Sequence, residues 1–435
     1  MRVSRAVVFG VSCLGLACAG GGPVRTGAVA PADIPALTAQ AQQQPGNVTA
    51  RFRLAAALMA AGRCDTATVV ARAAQQLAPA NAIGPLVIGG CQEKSGRYDV
   101  AFATYTDFAA QHPQARGVGT VRAKAQIALR TQAEQTARQA LASESTLTRQ
   151  APEPSTLAVL PVTISSSDST FRPLSRGLAE LITSDLALVR SLRLLERIQI
   201  GALLDELKLG QSERGDPATA ARVGRLLRAE RMVQGVASIT PNGPVRLSAS
   251  VVRGDGTVRS GAQANGTFQQ LLDLEKQLVI SLASQLGIQL TDAERQRILR
   301  QGPRNLAAFL AYSQGLEALD RGDYRAAASA FSASVRADPN FQAAQQQQQA
   351  AEAAPAVEAG GDAVAAVDVA PPEAPPSLPT AGALESAKNE TSPSIGGVLT
   401  GNGNETTKPE LTPASQGINS VVQVSGIIRI IFKRP

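Results

Sequence analysis

The chain has 435 residues, enough for two or three domains, and 44% of them are apolar, so it can bury a substantial core. Aromatic residues make up only 3% and Trp is absent, so that core must be packed with Leu, Val, Ile and Ala, and the stacking platforms of a single-strand nucleic-acid binder are missing. The formal charge of +7 comes from scattered Arg rather than a basic block, which argues against nucleic acid as a partner, and one histidine with four cysteines leaves little material for a metal site or Cys/His catalysis.

The segment MRVSRAVVFGVSCLGLACAGGG has Arg2 and Arg5, an apolar run from Ala6 to Ala17, and small residues around Cys18. That is the pattern of a secretory signal, over 1–18. LGLAC resembles a bacterial lipobox, which implies lipidation at Cys18 and a membrane partner through the anchor; cleavage without lipidation, or retention of the segment, are the alternatives. Each buried methylene of such an anchor contributes roughly 0.8 kcal/mol. Export also permits a disulfide between Cys64 and Cys91. Closing those 27 residues stabilises by roughly 3 to 4 kcal/mol in the loop-entropy account. Two buried thiols are the alternative.

A Gly/Pro-containing tether, 19–34, leads to a helical block over 35–145. Here a 34-residue period appears: Gly62 matches Gly96, Ala67 matches Ala101, and Pro79 matches Pro113. Gly permits the turn between two helices, a small residue lets them approach, and Pro stops the second. These copies resemble tetratricopeptide repeats, with the first aromatic displaced to Phe52 and Pro85 in its place in the second copy. On that template Cys64 and Cys91 fall on neighbouring helices. A helix near Val121 to Ser143 is expected to cap the stack. A third copy, over 303–345, carries Gly315, Gly322, Ala327, Phe331 and Pro339. Standing alone, it is expected to pack on the domain before it rather than in an array.

Between them, 152–300 reads as an α/β domain, a mixed sheet with packed helices. STLAVLPVTIS is a buried strand, and FRPLSRGLAELITSDLALVR is a helix with one apolar face. LRLLERI and GALLDELKLG make the second strand and second helix, with Glu196 and Arg197 at their junction, bonding locally. PATAARVGRLLRAE is a helix capped by Asp216, with Pro217 in its first turn. RMVQGVASIT is a third strand, VRLSASVVRGDGTVRSGAQANGTF a hairpin turning at GDG, and LLDLEKQLVISLASQLGIQL a closing helix. Asp273, Glu275 and Lys276 in that helix have the spacing of solvated positions and a surface pair.

From Ala350 onward the composition collapses into Ala, Pro, Glu, Ser, Gly and Thr, so a disordered C-terminal region is expected over 346–418. Residues 419–435, ending VVQVSGIIRIIFKRP, form a β-prone segment. It could pair on its own sheet edge or recruit a partner by strand addition.

Taken in order, LAVLPVT, ITSDLALV, LLERIQIGALLDELKL, VGRLLRAERMVQGVASI and the hairpin followed by LEKQL resemble the CsgG family, lipoproteins of curli secretion and related outer-membrane assembly factors. The resemblance covers about a third of the chain. It implies a non-catalytic, periplasm-facing lipoprotein at the outer membrane that docks envelope proteins or peptides and self-associates, with no cofactor. A pore is not expected, because the only long hairpin carries Arg246, Arg253 and Arg259 and lacks aromatic girdles. The second reading is a periplasmic lipoprotein that binds a small ligand or signal. Enzyme readings lack parts. His112 sits at a helix end, GDGTVRSG and GNGNET lack a phosphate-loop lysine, and DRGDYRAA lacks the oxygen ligands of a calcium loop.

Overall fold

The computed structural model describes residues 33–209, 216–358 and 363–368. The signal segment with Cys18, most of the tether, most of 346–418 and all of 419–435 lie outside the described residues.

The chain opens with α1 (Ile34–Gln43), α2 (Val48–Ala60), α3 (Cys64–Leu77), α4 (Ile83–Lys94) and α5 (Tyr98–Gln111), then the long α6 (Val118–Ala142) and the single turn α7 (Glu144–Leu147). Gly62 and Gly96 stand between paired helices at φ +76° and +70°, where an L side chain would be strained. Gly322 repeats this at +74° between α13 (Leu306–Asp320) and α14 (Tyr324–Ala337). In all three hairpins the repeat alanine, Ala67, Ala101 or Ala327, is fully buried. Pro79, Pro113 and Pro339 each follow two residues after the second helix ends.

The hairpins also share a size rule at their crossing. A Cβ on Gly89 would lie 2.3 Å from the Tyr105 ring, and one on Gly315 would lie 2.5 Å from the Phe331 ring. The equivalent pair in the first hairpin is Ala55 with Ala71, both buried. Where the second helix carries a ring, the first must carry glycine.

Residues 153–267 supply the sheet: β1 (Glu153–Val159), β2 (Thr163–Ser165), β3 (Arg193–Leu194), β4 (Ala229–Ile239), β5 (Pro244–Arg253) and β6 (Val258–Thr267). The strand order is β3-β1-β4-β5-β6, with β2 also on β4; β1 and β2 run parallel to β4, while β4, β5 and β6 alternate. The sequence run read as one first strand is cut at Pro161, which has no N–H for the ladder. Leu157 and Val159 face one side with α8 (Leu174–Leu186) and α11 (Leu271–Gln285). Ala158 and Leu160 face the other with α9 (Arg197–Glu206) and α10 (Pro217–Leu226). The sheet is therefore covered on both faces. Asp216 caps α10, its carboxylate accepting from the Thr219 N–H at 3.1 Å.

Three expectations need correction. LRLLERI is a strand only at Arg193–Leu194, and the helix starts at Arg197, about one turn before GALLDELKLG. The helix α15 (Gln342–Glu358) runs through the glutamine tract, where disorder was expected from 346. Ala344, Ala350, Ala351 and Ala354 bury one face of it, and a short α16 (Ala363–Asp368) follows. The third hairpin is not outside an array, because α15 packs on α6. Gln126 donates to Gln347 at 2.5 Å, Arg122 donates to Gln349, and a Cβ on Gly119 would lie 2.8 Å from the Gln349 carbonyl oxygen.

α6 is thus more than a cap. Val121, Ala125 and Ala128 enter the core of the first two hairpins, Ala123 that of the third, and Ala137 with Ala140 the sheet domain. One alanine-rich helix joins three cores.

Candidate functional site

The sheet domain and the third hairpin meet along α8 and α13. The apolar part of that seam is Phe309 of α13, fully buried in the core that holds Leu178 and Ile182. The helices approach closely at Gly177, where a Cβ would fall 1.9 Å from Ser313 Oγ. Above this contact lies a charged network. Arg197 Nη1 donates to both oxygens of Asp320, at 2.7 and 2.8 Å, and its Nε donates to Glu180 at 3.2 Å. Arg176 Nε also donates to Asp320. Farther out, Arg172 pairs with Glu317 at 3.0 Å, and Arg321 reaches Glu317 at 3.6 Å.

The Arg197 side chain is 11% exposed, so its charge has left bulk water. Burial works against that charge, but Asp320 and Glu180 outweigh it and hold the guanidinium protonated. Burial likewise opposes ionisation of Asp320, and Arg197 with Arg176 overcome it, so its pKa falls below the usual value. Glu196 differs. It occupies the N-cap position of α9 yet makes no side-chain cap. Burial first, then the charge of Glu180, push its pKa up to about 7 against the pull of Arg197.

Glu196 and Arg197 were expected at a strand–helix junction, and they stand at one. Their partners are not local. Arg197 reaches across 123 residues to Asp320. Nothing in the local pattern points to Glu180, Arg176 or Asp320, because no spacing along the chain relates α8 to α13. The aspartates of DRGDYRAA are also accounted for: Asp320 holds the arginines, and Asp323 caps α14 through the Ala326 N–H at 3.0 Å.

A second charged cluster corrects the surface reading of Glu275 and Lys276. Asp185 on α8 and Glu275 on α11 are both 0% exposed, and Lys276 between them is 11% exposed. Lys276 Nζ donates to Asp185 and stands 3.3 Å from Glu275. Burial raises both carboxyl pKa values, and the charge of Glu275 raises Asp185 further. Asp273 is exposed.

Cys64 on α3 and Cys91 on α4 are joined, with Cα atoms 5.3 Å apart. His112 packs its ring 5.1 Å from Phe108. Among the described residues, no group of three or more His, Cys, Asp or Glu could hold a metal ion, and no helix is long and apolar enough to cross a membrane.

A groove of about 390 Å³ opens at the seam, lined by Ser169, Thr170, Arg172, Gln314, Glu317 and Arg321 over an alanine floor. It carries two arginines, one carboxylate and neutral hydrogen-bonding groups.

Residues 138–241 match the family model of the curli production assembly/transport component CsgG. The span runs from the last turn of α6 to the end of β4, so it includes Glu180, Glu196 and Arg197. Asp320 and the third hairpin lie outside it. So do β5, β6 and α11, to which the sequence resemblance had extended. No individual curated protein matches the chain.

Proposed function

We propose that this chain is a non-catalytic scaffold of the cell envelope, lipid-anchored at Cys18 on the periplasmic face of the outer membrane, that assists assembly or export of surface components through protein contacts. The observation that carries this reading is the seam. A CsgG-matching α/β segment is locked by Arg197 and Asp320 to a helical hairpin, and a polar groove opens between the two. Helical hairpins built on the tetratricopeptide-like pattern supply surfaces for peptides of other envelope proteins. The α/β domain is the part expected to self-associate. The β5–β6 hairpin favours a scaffold without a pore, since Leu247, Ala249, Val251, Ala262 and Ala264 pack into the domain core rather than forming a lipid-facing band.

Crosslinking in intact membranes, followed by pull-down of the anchored chain, tests the proposal. Recovery of a multimer with defined envelope proteins is the expected result, and recovery of lone monomers would overturn it. The groove also favours a second reading, a small polar ligand as occupant. A monomer whose melting temperature rises with a metabolite would support that reading instead.

A further inference from the structure

The sheet has two edges, and they differ. On one side β3 is only two residues long. On the other, β6 runs for ten residues, and among the described residues no strand pairs with its outer side. A long unpaired edge presents a row of free N–H and C=O groups, and proteins normally blunt such edges with prolines, lysines or short strands. β6 has no proline and no lysine, and Arg259 is its only charge.

The faces of β6 also differ. Ala262 and Ala264 are buried beside α11, while Gln263 and Asn265 on the opposite face are exposed. Half-buried Phe268, Leu272 and Ile280 border the same core. A strand added here would need one apolar face, toward α11, and one polar face, toward water.

Residues 422–433 have that alternation. Val422, Val424, Ile428, Ile430 and Phe432 fall on one face, broken only by Gly426. Gln423, Ser425, Arg429 and Lys433 fall on the other, with Ile427 and Ile431. We propose that residues 422–432 of the same chain add as a strand to the free edge of β6, completing the sheet with their apolar face on the α11 side. The large side chains of this segment complement the small Ala262 and Ala264 of β6. Residues 369–421 connect α16 to it. A coil of that length has an end-to-end distance of about 40 Å, and an extended one about 170 Å, so tether length is no obstacle. Linkage within one chain also gives the strand an effective concentration near the millimolar range, ahead of a second copy at ordinary dilution.

The test uses the full chain at low concentration, with Asn265→Cys combined in turn with a cysteine at Gln423, Ser425, Ile427 or Arg429, under mild oxidation. The expected result is a reducible cross-link of monomer mass for one or two of these positions, reporting the register. Cross-links only of dimer mass would overturn the proposal in favour of exchange between copies, and no cross-link at any position would overturn it outright. Amide exchange gives an independent reading. Both alternating sets of β6 amides should be protected in the native chain, and the outer set should exchange at least about tenfold faster in an I428D/I430D variant. Equal exchange in the two proteins would contradict the added strand even if both remain folded.

Discussion

Replacing Arg197 by methionine removes the guanidinium that joins α8 and α9 to α13 and keeps most of its apolar stem. Three hydrogen bonds are lost, two to Asp320 at 2.7 and 2.8 Å and one to Glu180 at 3.2 Å. Removing one partner of a buried ion pair costs about 3–5 kcal/mol, chiefly because the other charge is left without compensation. Asp320 retains Arg176 and is 23% exposed, so solvent and the remaining arginine reduce the expected loss to about 2–3 kcal/mol. Scanning calorimetry should show a melting temperature lower by about 5–10 °C. Because the broken contact lies between two units, the transition should also broaden or split, with α13 and α14 exchanging amides first. Pairing the change with Asp320→Asn completes a double-mutant cycle, expected to give a coupling of about 1–2 kcal/mol. A coupling near zero, or a loss below about 0.5 kcal/mol with a single sharp transition, would refute the assignment of this network as the lock between domain and hairpin.

Glu196 should behave in the opposite way to its neighbour. Its folded pKa of about 7 lies above the ordinary value of 4.5, so the folded protein binds the extra proton, and stability falls as pH rises from about 4.5 to 7 and is flat above. Glu196→Gln should therefore match the parent at pH 4 and exceed it by about 1–2 kcal/mol at pH 8, after allowance for partial solvent screening; denaturant melts at the two pH values check this, and a loss at pH 8 would contradict it. Lys276→Met leaves Asp185 and Glu275 buried without their cation and should cost about 3–5 kcal/mol, partly recovered by adding Glu275→Gln, as urea unfolding at pH 7 would show. The bond between Cys64 and Cys91 should appear as no free thiol from this pair in the unfolded, unreduced exported protein. Cys64→Ser with Cys91→Ser should cost about 3 kcal/mol, and a titration that finds both thiols free would remove the bridge.

Local patterns account for most of what the sequence disclosed. The continuous apolar run Leu157 to Leu160, bounded by Pro161, specifies a strand buried on both faces, the stripe Leu174, Leu178, Leu181, Ile182 specifies a helix by its period, and the structure buries all of these residues. The three hairpins were legible because glycine, small residue and proline each answer a local demand at a fixed offset. Glu275 has the charge of a surface residue but the helical position of a core one. It falls in the stripe Leu271, Leu274, Leu278, Val279, Leu282, so helical geometry carries it into the core whatever its charge. The early start of α9 is a tertiary effect. Leu194 and Leu195 suit either strand or helix, and the helical turn carries Arg197 to Asp320, a contact that no short window contains. The joining role of α6 was hidden for a related reason. Its alanines fit any face of a helix, so they reveal no periodicity, and only the assembled fold shows that they serve three cores.

The scaffold account stands most directly on what touches the seam. A photo-crosslinking residue placed at Gln314, exposed in the groove between α13 and the start of α8, can be compared in intact membranes with the same residue at Gln296 on the exposed face of α12 (Asp292–Arg300). The account predicts a discrete envelope-protein adduct at Gln314 that is absent at Gln296 and weakened by Arg197→Met. Protein adducts of equal yield at both positions, or none at Gln314 from a folded and membrane-bound chain, would contradict it.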